Sequence, residues 1–325
     1  MTPVSRPSSM FSGVARFFNA NPMVPLFCLL LLLLILLQVM RPGIINERWL
    51  GNTIKFAIPL AMLAACQTLT MLTGGIDLSV GVVATLTAFV LATLVPLVGL
   101  PLAFAFALLP ALLIGLINGF GVAICRVHPL IMTLGTGLIG TGCMQVYQRY
   151  VIATGSAVPG VLDWLGIGRT WGLPNALILF LPFAVLVILG QRRTGFGRLL
   201  YALGSNENAA RLSGVRPWQV YFTLYSLSSL IAGVTGLLYL GIVKTPSLSL
   251  AVPLVLPSVA ATVIGGTSIF GGRGGYGGTV LGALILTVLG TLLTILQMPE
   301  GARRVLYGLI ILAVTAIYVR LTEQN

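Results

Sequence analysis

LTGGIDLSVG, residues 72–81, interrupts a wall of apolar sequence with two adjacent glycines and a carboxylate. Gly74 and Gly75 suit the end of one helix. Asp77 suits the N-cap of a second helix beginning near Leu78, where its side chain can accept from the N–H of Ser79 or Val80. A carboxylate at membrane depth is costly, so Asp77 is also a candidate functional residue beside its favoured role as a cap. The two readings overlap, because a broken helix is tolerated inside a bilayer only where its freed backbone faces protein or a water-filled cavity.

The surrounding chain decides what kind of break this is. Of 325 residues, 57% are hydrophobic and 7% charged, with a mean hydropathy of +1.04, against roughly 25% charged residues in a soluble domain. A bilayer core of about 30 Å needs roughly 20 apolar residues per helix, and that length recurs along the whole sequence. The expected spans are 24–40, 56–73, 79–97, 101–125, 129–148, 174–191, 218–241, 252–270, 276–297 and 303–320. The fold class is therefore all-α, a polytopic bundle of about ten transmembrane helices in a single domain, 1–325. Arg6 and Arg16 before the run Val24–Met40 resemble a signal sequence. That run is long for one, and RPGIINERW follows in place of a small-residue cleavage site, so it reads as an uncleaved first helix.

A net charge of +12 would suggest nucleic acid in a soluble protein. Here the cations fall in short connections, where they anchor helix ends and set orientation, and no nucleic-acid partner is implied. With the N-terminus inside, the inner side collects Arg6, Arg16, Arg126, Arg192, Arg193, Arg198, Arg211, Arg216, Arg273 and Arg320, a small majority. The connection 191–217 carries five of these arginines close to flanking helices and decides the matter. It is placed in the cytoplasm, which puts both termini there too.

Within that connection, 197–215 reads GRLLYALGSNENAARLSGV. Asn206 is an N-cap, Glu207 and Arg211 suit the two ends of a helix dipole, and Gly214 supplies a left-handed turn, so a short helix of about seven residues is expected. Ala209 and Ala210 at its middle could lie flush in another protein's groove; a helix resting on headgroups is the alternative. A third stretch, VIGGTSIFGGRGGYGGTVLGAL at 263–284, partly echoes the first, since VIGG and LTGG both end an apolar run. Glycine-interrupted segments in two halves point to a substrate route, here through Gly265 and Gly266 as well. It lacks the Lys of a phosphate-cradling loop. Gly278 and Gly282, like Gly115 and Gly119, form G-x-x-x-G pairs suited to close helix packing.

Other residues point to no chemistry. Cys28, Cys66, Cys125 and Cys143 lack metal or redox spacing and read as packing residues, and His128 reads as interfacial. No catalytic set, metal site or cofactor is expected. Trp49, Trp164, Trp171 and Trp218 lie at helix flanks as interfacial anchors.

LTGGIDLSVG, YALGSNENAARLSGV and VIGGTSIFGGRGGYGGTVLGAL, with LINGFGVAICRVHPLIMTLGT at 116–136 (Asn118, Gly119, Pro129, Thr133, Leu134, Gly135), together resemble the permease subunits of ribose-type ABC sugar importers. The group also carries xylose, arabinose, galactose and autoinducer-2 systems, and the similarity runs from about residue 60 to 310. His128 departs from the family, and Arg149–Trp171 shows none of its pattern. The resemblance implies a non-catalytic permease of a bacterial inner membrane, paired with a second copy or a sibling. Its other partners would be cytoplasmic ATP-binding subunits and an extracytoplasmic sugar-binding protein. Gly204, Asn206, Ala209, Ala210, Ser213 and Gly214 match the segment that docks on the ATPase; Gly74, Gly75, Asp77 and Ser79 match the signature near the translocation route. The rival reading is an ion-coupled secondary transporter with Asp77 as its ion site, though such pumps usually place several ionisable groups on the path.

Overall fold

The structure, a computed structural model, describes residues 23–151 and 155–323, with side chains to residue 312. Arg6 and Arg16 lie outside the described residues, as does the side chain of Arg320. The helices are α1 (Met23–Met40), α2 (Glu47–Met71), α3 (Val80–Val98), α4 (Leu100–Ala123), α5 (Pro129–Val151), α6 (Gly160–Ile167), α7 (Ala176–Arg193), α8 (Gly195–Ser205), α9 (Glu207–Leu212), α10 (Pro217–Val243), α11 (Val255–Ile264), α12 (Tyr276–Ile295) and α13 (Glu300–Glu323). A short antiparallel hairpin, β1 (Arg169–Thr170) with β2 (Leu173–Pro174), follows α6.

Eight of these helices, α1 to α5, α7, α10 and α12, are long and apolar enough to cross a membrane. The other two expected spans fall on α11, which has only 10 residues, and on the 24-residue α13; neither is among these eight. Two boundaries differ from the sequence reading. The span expected over 252–270 stops at Ile264, because Gly266 at φ +87° turns the chain out of the helix. The span expected over 56–73 begins earlier, at Glu47, where Asn46 accepts from the Trp49 N–H.

Burial sorts the bundle. α2, α3 and α10 are largely enclosed, whereas α1, α4, α5 and α7 turn most of their apolar side chains outward. Lipid supplies no hydrophobic drive between helices, so enclosed contacts rest on close backbone approach at small residues. Gly115 lies against the backbone of Tyr225 and Ser226, and Gly119 against Phe222, which seats α4 on α10. Gly278 meets the Gly265 carbonyl and Gly282 that of Ala261, which seats α12 on α11. Both G-x-x-x-G pairs thus pack helices, as expected.

α6 was not expected. Its Gly166 sits on the Gly241 backbone of α10, Gly241 in turn lies on the Leu162 carbonyl, and Lys244 pairs with Asp163 at 2.8 Å. Together with the hairpin, whose Arg169 donates to Asn52 at 3.2 Å, it covers one end of the bundle. Trp218 and Trp49 stand in the first turns of α10 and α2, at helix flanks as expected, with Trp49 packed among α1 and α12 side chains; Trp164 instead lies within α6, and Trp171 (97% exposed) lies between β1 and β2. Cys66 is buried; Cys28, Cys125 and Cys143 are exposed.

Candidate functional site

The two glycine breaks end their helices in the same way. After α2, the Gly75 N–H donates to the Thr70 carbonyl and that of Gly74 to Met71, with Gly74 at φ +78°. After α11, the Thr267 N–H donates to Thr262 and that of Gly266 to Val263. These crossed bonds are the Schellman pattern, which needs a left-handed residue that glycine supplies without strain. The echo between LTGG and VIGG is therefore physical, with a shift of one residue: the first glycine turns the chain in one break, the second in the other. Gly75 instead makes room, since a Cβ there would stand 2.8 Å from the Tyr225 hydroxyl and 3.2 Å from Pro129. Gly265 lies against the Gly278–Thr279 backbone.

Between α2 and α3, side chains from α2 and α5 satisfy the backbone of the break, and others from α4, α5 and α10 extend a side-chain network around Asp77. Gln67 acts as a peptide surrogate: its Nε2 donates to the Asp77 carbonyl at 2.7 Å and its Oε1 accepts the Asp77 N–H at 3.3 Å. Thr133 of α5 accepts from the Leu78 N–H at 3.0 Å and donates to the Ile76 carbonyl at 3.2 Å. Asp77 is fully buried. Its Oδ1 accepts from the Ser79 N–H at 3.0 Å and the Ser79 hydroxyl at 2.6 Å, and its Oδ2 accepts from Ser228 of α10 at 2.9 Å. The bond to the Ser79 N–H is the local contact expected from sequence, but Asp77 is not the N-cap: α3 begins at Val80 with Ser79 in the cap position, so the Asp77 bond closes the turn before the helix. The chain of bonds continues: Asn118 Nδ2 donates to Ser79 Oγ at 3.0 Å, and Thr136 donates to Asn118 Oδ1 at 2.6 Å. Among the described residues no cation pairs with Asp77, so neutral donors carry its stabilisation, a connected network that low polarity strengthens.

This break meets the other two motifs at one end of the bundle. The Gly272 N–H donates to the Leu72 carbonyl at 3.0 Å, and Gly204, near the end of α8, lies directly on that same carbonyl and on Gly272. Gly271 is held against Gly204 and the Gly74 nitrogen, and the Tyr201 hydroxyl donates to the Gly274 carbonyl at 2.8 Å. Burial pushes the Tyr201 hydroxyl above the usual phenol range, against an opposing pull from the Arg192 guanidinium at the end of α7. At 25 residues α2 is about 37 Å long, longer than the roughly 30 Å hydrocarbon core of a bilayer.

The arginine-rich connection is a helical hairpin rather than a single short helix. Thr194 caps α8 by accepting from the Gly197 N–H at 3.1 Å, and Asn206 caps α9 by accepting from Ala209 at 3.0 Å. Gly214, at φ +86°, closes α9 as the sequence predicts. Glu207 accepts from Arg211 at 2.7 Å and from the Tyr221 hydroxyl of α10 at 3.0 Å. α10 therefore carries one stripe from end to site: Tyr221 on α9, Tyr225 over Gly75, Ser228 on Asp77. The Tyr225 hydroxyl is buried without a partner.

The two halves of the expected docking set separate. Asn206, Ala209, Ser213 and Gly214 are exposed; Ala210 is buried in the core, and Gly204 faces the break. Leu212, absent from the sequence reading, is 91% exposed at the tip of α9. Gln67, Thr136, Ser228 and Tyr225 were also missed as site residues. A polar side chain inside an apolar helix is the signal that would have found them.

Residues 50–315 match the family described as branched-chain amino acid transport system / permease component. The ribose import permease protein RbsC of Escherichia coli K12 is 34% identical over 290 residues, 87% of this chain and 89% of that protein. The galactofuranose transporter permease protein YtfT of the same strain is 31% identical, covering 98% of this chain and 95% of its own. The fructose import permease protein FruF of Bifidobacterium longum is 29% identical, covering 87% and 84%. No solved structure matches the chain.

Proposed function

Because the chain belongs to the branched-chain amino acid transport system / permease component family, alongside ribose-type import permeases, we propose that it forms the membrane path of an ATP-driven monosaccharide importer. The solute belongs to the ribose, xylose, arabinose or galactose class and arrives on an extracytoplasmic binding protein. ATP-binding subunits on the cytoplasmic side move the gate. A second permease, the same chain or a sibling, completes the path.

One observation carries the reading: the α8–α9 hairpin touches the α2–α3 break through backbone, at Gly204 and the Leu72 carbonyl. A push on α9 has two short routes to the site. One runs through Gly204, the other through Glu207 and Tyr221 into α10, whose Ser228 holds Asp77. Motion of α9 as a lever would shift the break and open or close the end of the bundle it lines, the differential contact that a conformational switch requires. In this scheme Gly74, Gly75, Asp77, Ser79, Gly265 and Gly266 shape the gate. Asn206, Ala209, Ser213 and Gly214, with Leu212, form the face offered to the ATPase.

The test is reconstitution. Liposomes holding the chain with its ATPase and binding protein should accumulate labelled monosaccharide only when ATP is present. Accumulation by the chain alone under an ion gradient, abolished in Asp77→Asn, would instead establish an ion-coupled carrier and overturn the proposal.

A further inference from the structure

α7, α8 and α10, with Leu69 of α2, enclose a cavity of about 280 Å³. Its wall is apolar, formed by side chains such as Phe183, Val187, Leu200 and Ile231, and two lining residues, Leu186 (69% exposed) and Leu227, reach the outer surface of the bundle where lipid lies. One polar residue lines it. Gln191 is 3% exposed; its Oε1 accepts the Tyr276 N–H at 2.9 Å, and its Nε2 is buried with no partner. A buried amide donor left unmade is unfavourable, so the site suits an occupant that is apolar over most of its length and offers one acceptor.

Charge identifies the rest of that occupant. Arg192 and Arg193 follow Gln191 directly, and Arg198 lies on α8; none of the three pairs with an acid among the described residues. We infer that this cavity binds an anionic phospholipid, with an acyl chain between α7 and α10, an ester carbonyl accepting from Gln191 Nε2, and the phosphate at the arginines. A packed helix from a second copy would fill the apolar part, but its carbonyls are bonded within the helix and leave Gln191 unsatisfied. A free sugar would meet a single hydrogen-bonding atom in an otherwise apolar wall.

The chain is purified alone in mild detergent from membranes containing both phosphatidylethanolamine and phosphatidylglycerol, and retained lipid is read by native mass spectrometry. A single bound phosphatidylglycerol is expected in the wild type. Gly190→Leu should abolish it, because Gly190 lines the cavity and a Cβ there meets open space, so the added side chain fills the site. Leu186→Trp at the exposed rim is the second variant, and Arg192→Gln with Arg193→Gln should remove the preference for phosphatidylglycerol while leaving an occupied cavity. Equal retention by wild type, Gly190→Leu and Leu186→Trp, or no retained lipid in the wild type, overturns the inference, as does a headgroup mixture matching the bulk membrane. The readout involves neither ATPase nor sugar, so failure of the transport proposal leaves it standing and its own failure leaves transport untouched.

Discussion

Asp77 illustrates what a single residue reveals about its surroundings. Its bond to Ser79 spans two positions and can be read from GIDLSVG, because an Asx-type contact is local. Its bond to Ser228 spans 151 positions and that of Gln67 spans 10, so neither is visible without the fold. Ser228→Ala should leave Oδ2 facing an apolar methyl and cost about 1–3 kcal/mol, read as a lowered melting temperature of the purified protein. Asp77→Asn keeps the shape but exchanges one acceptor oxygen for an NH2 donor, so it cannot accept from both Ser79 and Ser228. We expect reconstituted uptake to fall sharply while the chain still inserts, measured as initial uptake rate per unit of membrane-embedded protein. Gly75→Ala brings a methyl against the Tyr225 hydroxyl and Pro129, and should shift the seating of α5 and α10 even though the helix end itself would accept alanine.

Helix ends show which elements a sequence can define. The cap residues Asn206 and Gly214 mark α9, since capping is a local hydrogen-bonding problem solved by few residue types. The separate helix α8 escaped notice because its N-cap, Thr194, follows α7 at once within the polar run QRRT, which reads as a connection, and α11 was read six residues too long because Ile269 and Phe270 carry the apolar pattern past its last turn. Gly204 was visible as a motif residue, but its contact with the Leu72 carbonyl depends on two elements far apart in sequence. Gly204→Ala would drive a methyl into backbone on both sides, so we expect ATP hydrolysis to persist while uptake is lost, a separation measurable in one proteoliposome preparation. At the tip of α9, Leu212→Asp should weaken co-purification of the ATPase roughly tenfold or more, the loss expected when a central apolar contact at an interface is replaced by a charge. Ala210→Trp is expected to destabilise the chain itself, because Ala210 faces the core.

At the scale of the molecule, composition was enough to establish a helical membrane bundle, because spanning lipid leaves the backbone few alternatives. Which helices are central was not legible, since α3 and α4 are equally apolar in sequence while only α3 is enclosed. The orientation expected from the arginine-rich end is open to direct measurement: a membrane-impermeant maleimide should label Ala209→Cys only in inverted vesicles, and Trp171→Cys only in right-side-out cells, in a background lacking the native cysteines. The opposite pattern would place α9 outside and remove its access to ATP-binding subunits. A last consequence concerns synthesis. α3 ends at Val98 and α4 begins at Leu100, so a lone glycine at φ +77° is all that separates them. With no hydrophilic turn to rest at the headgroups, we expect the two helices to enter the bilayer together as one pin, not one after the other.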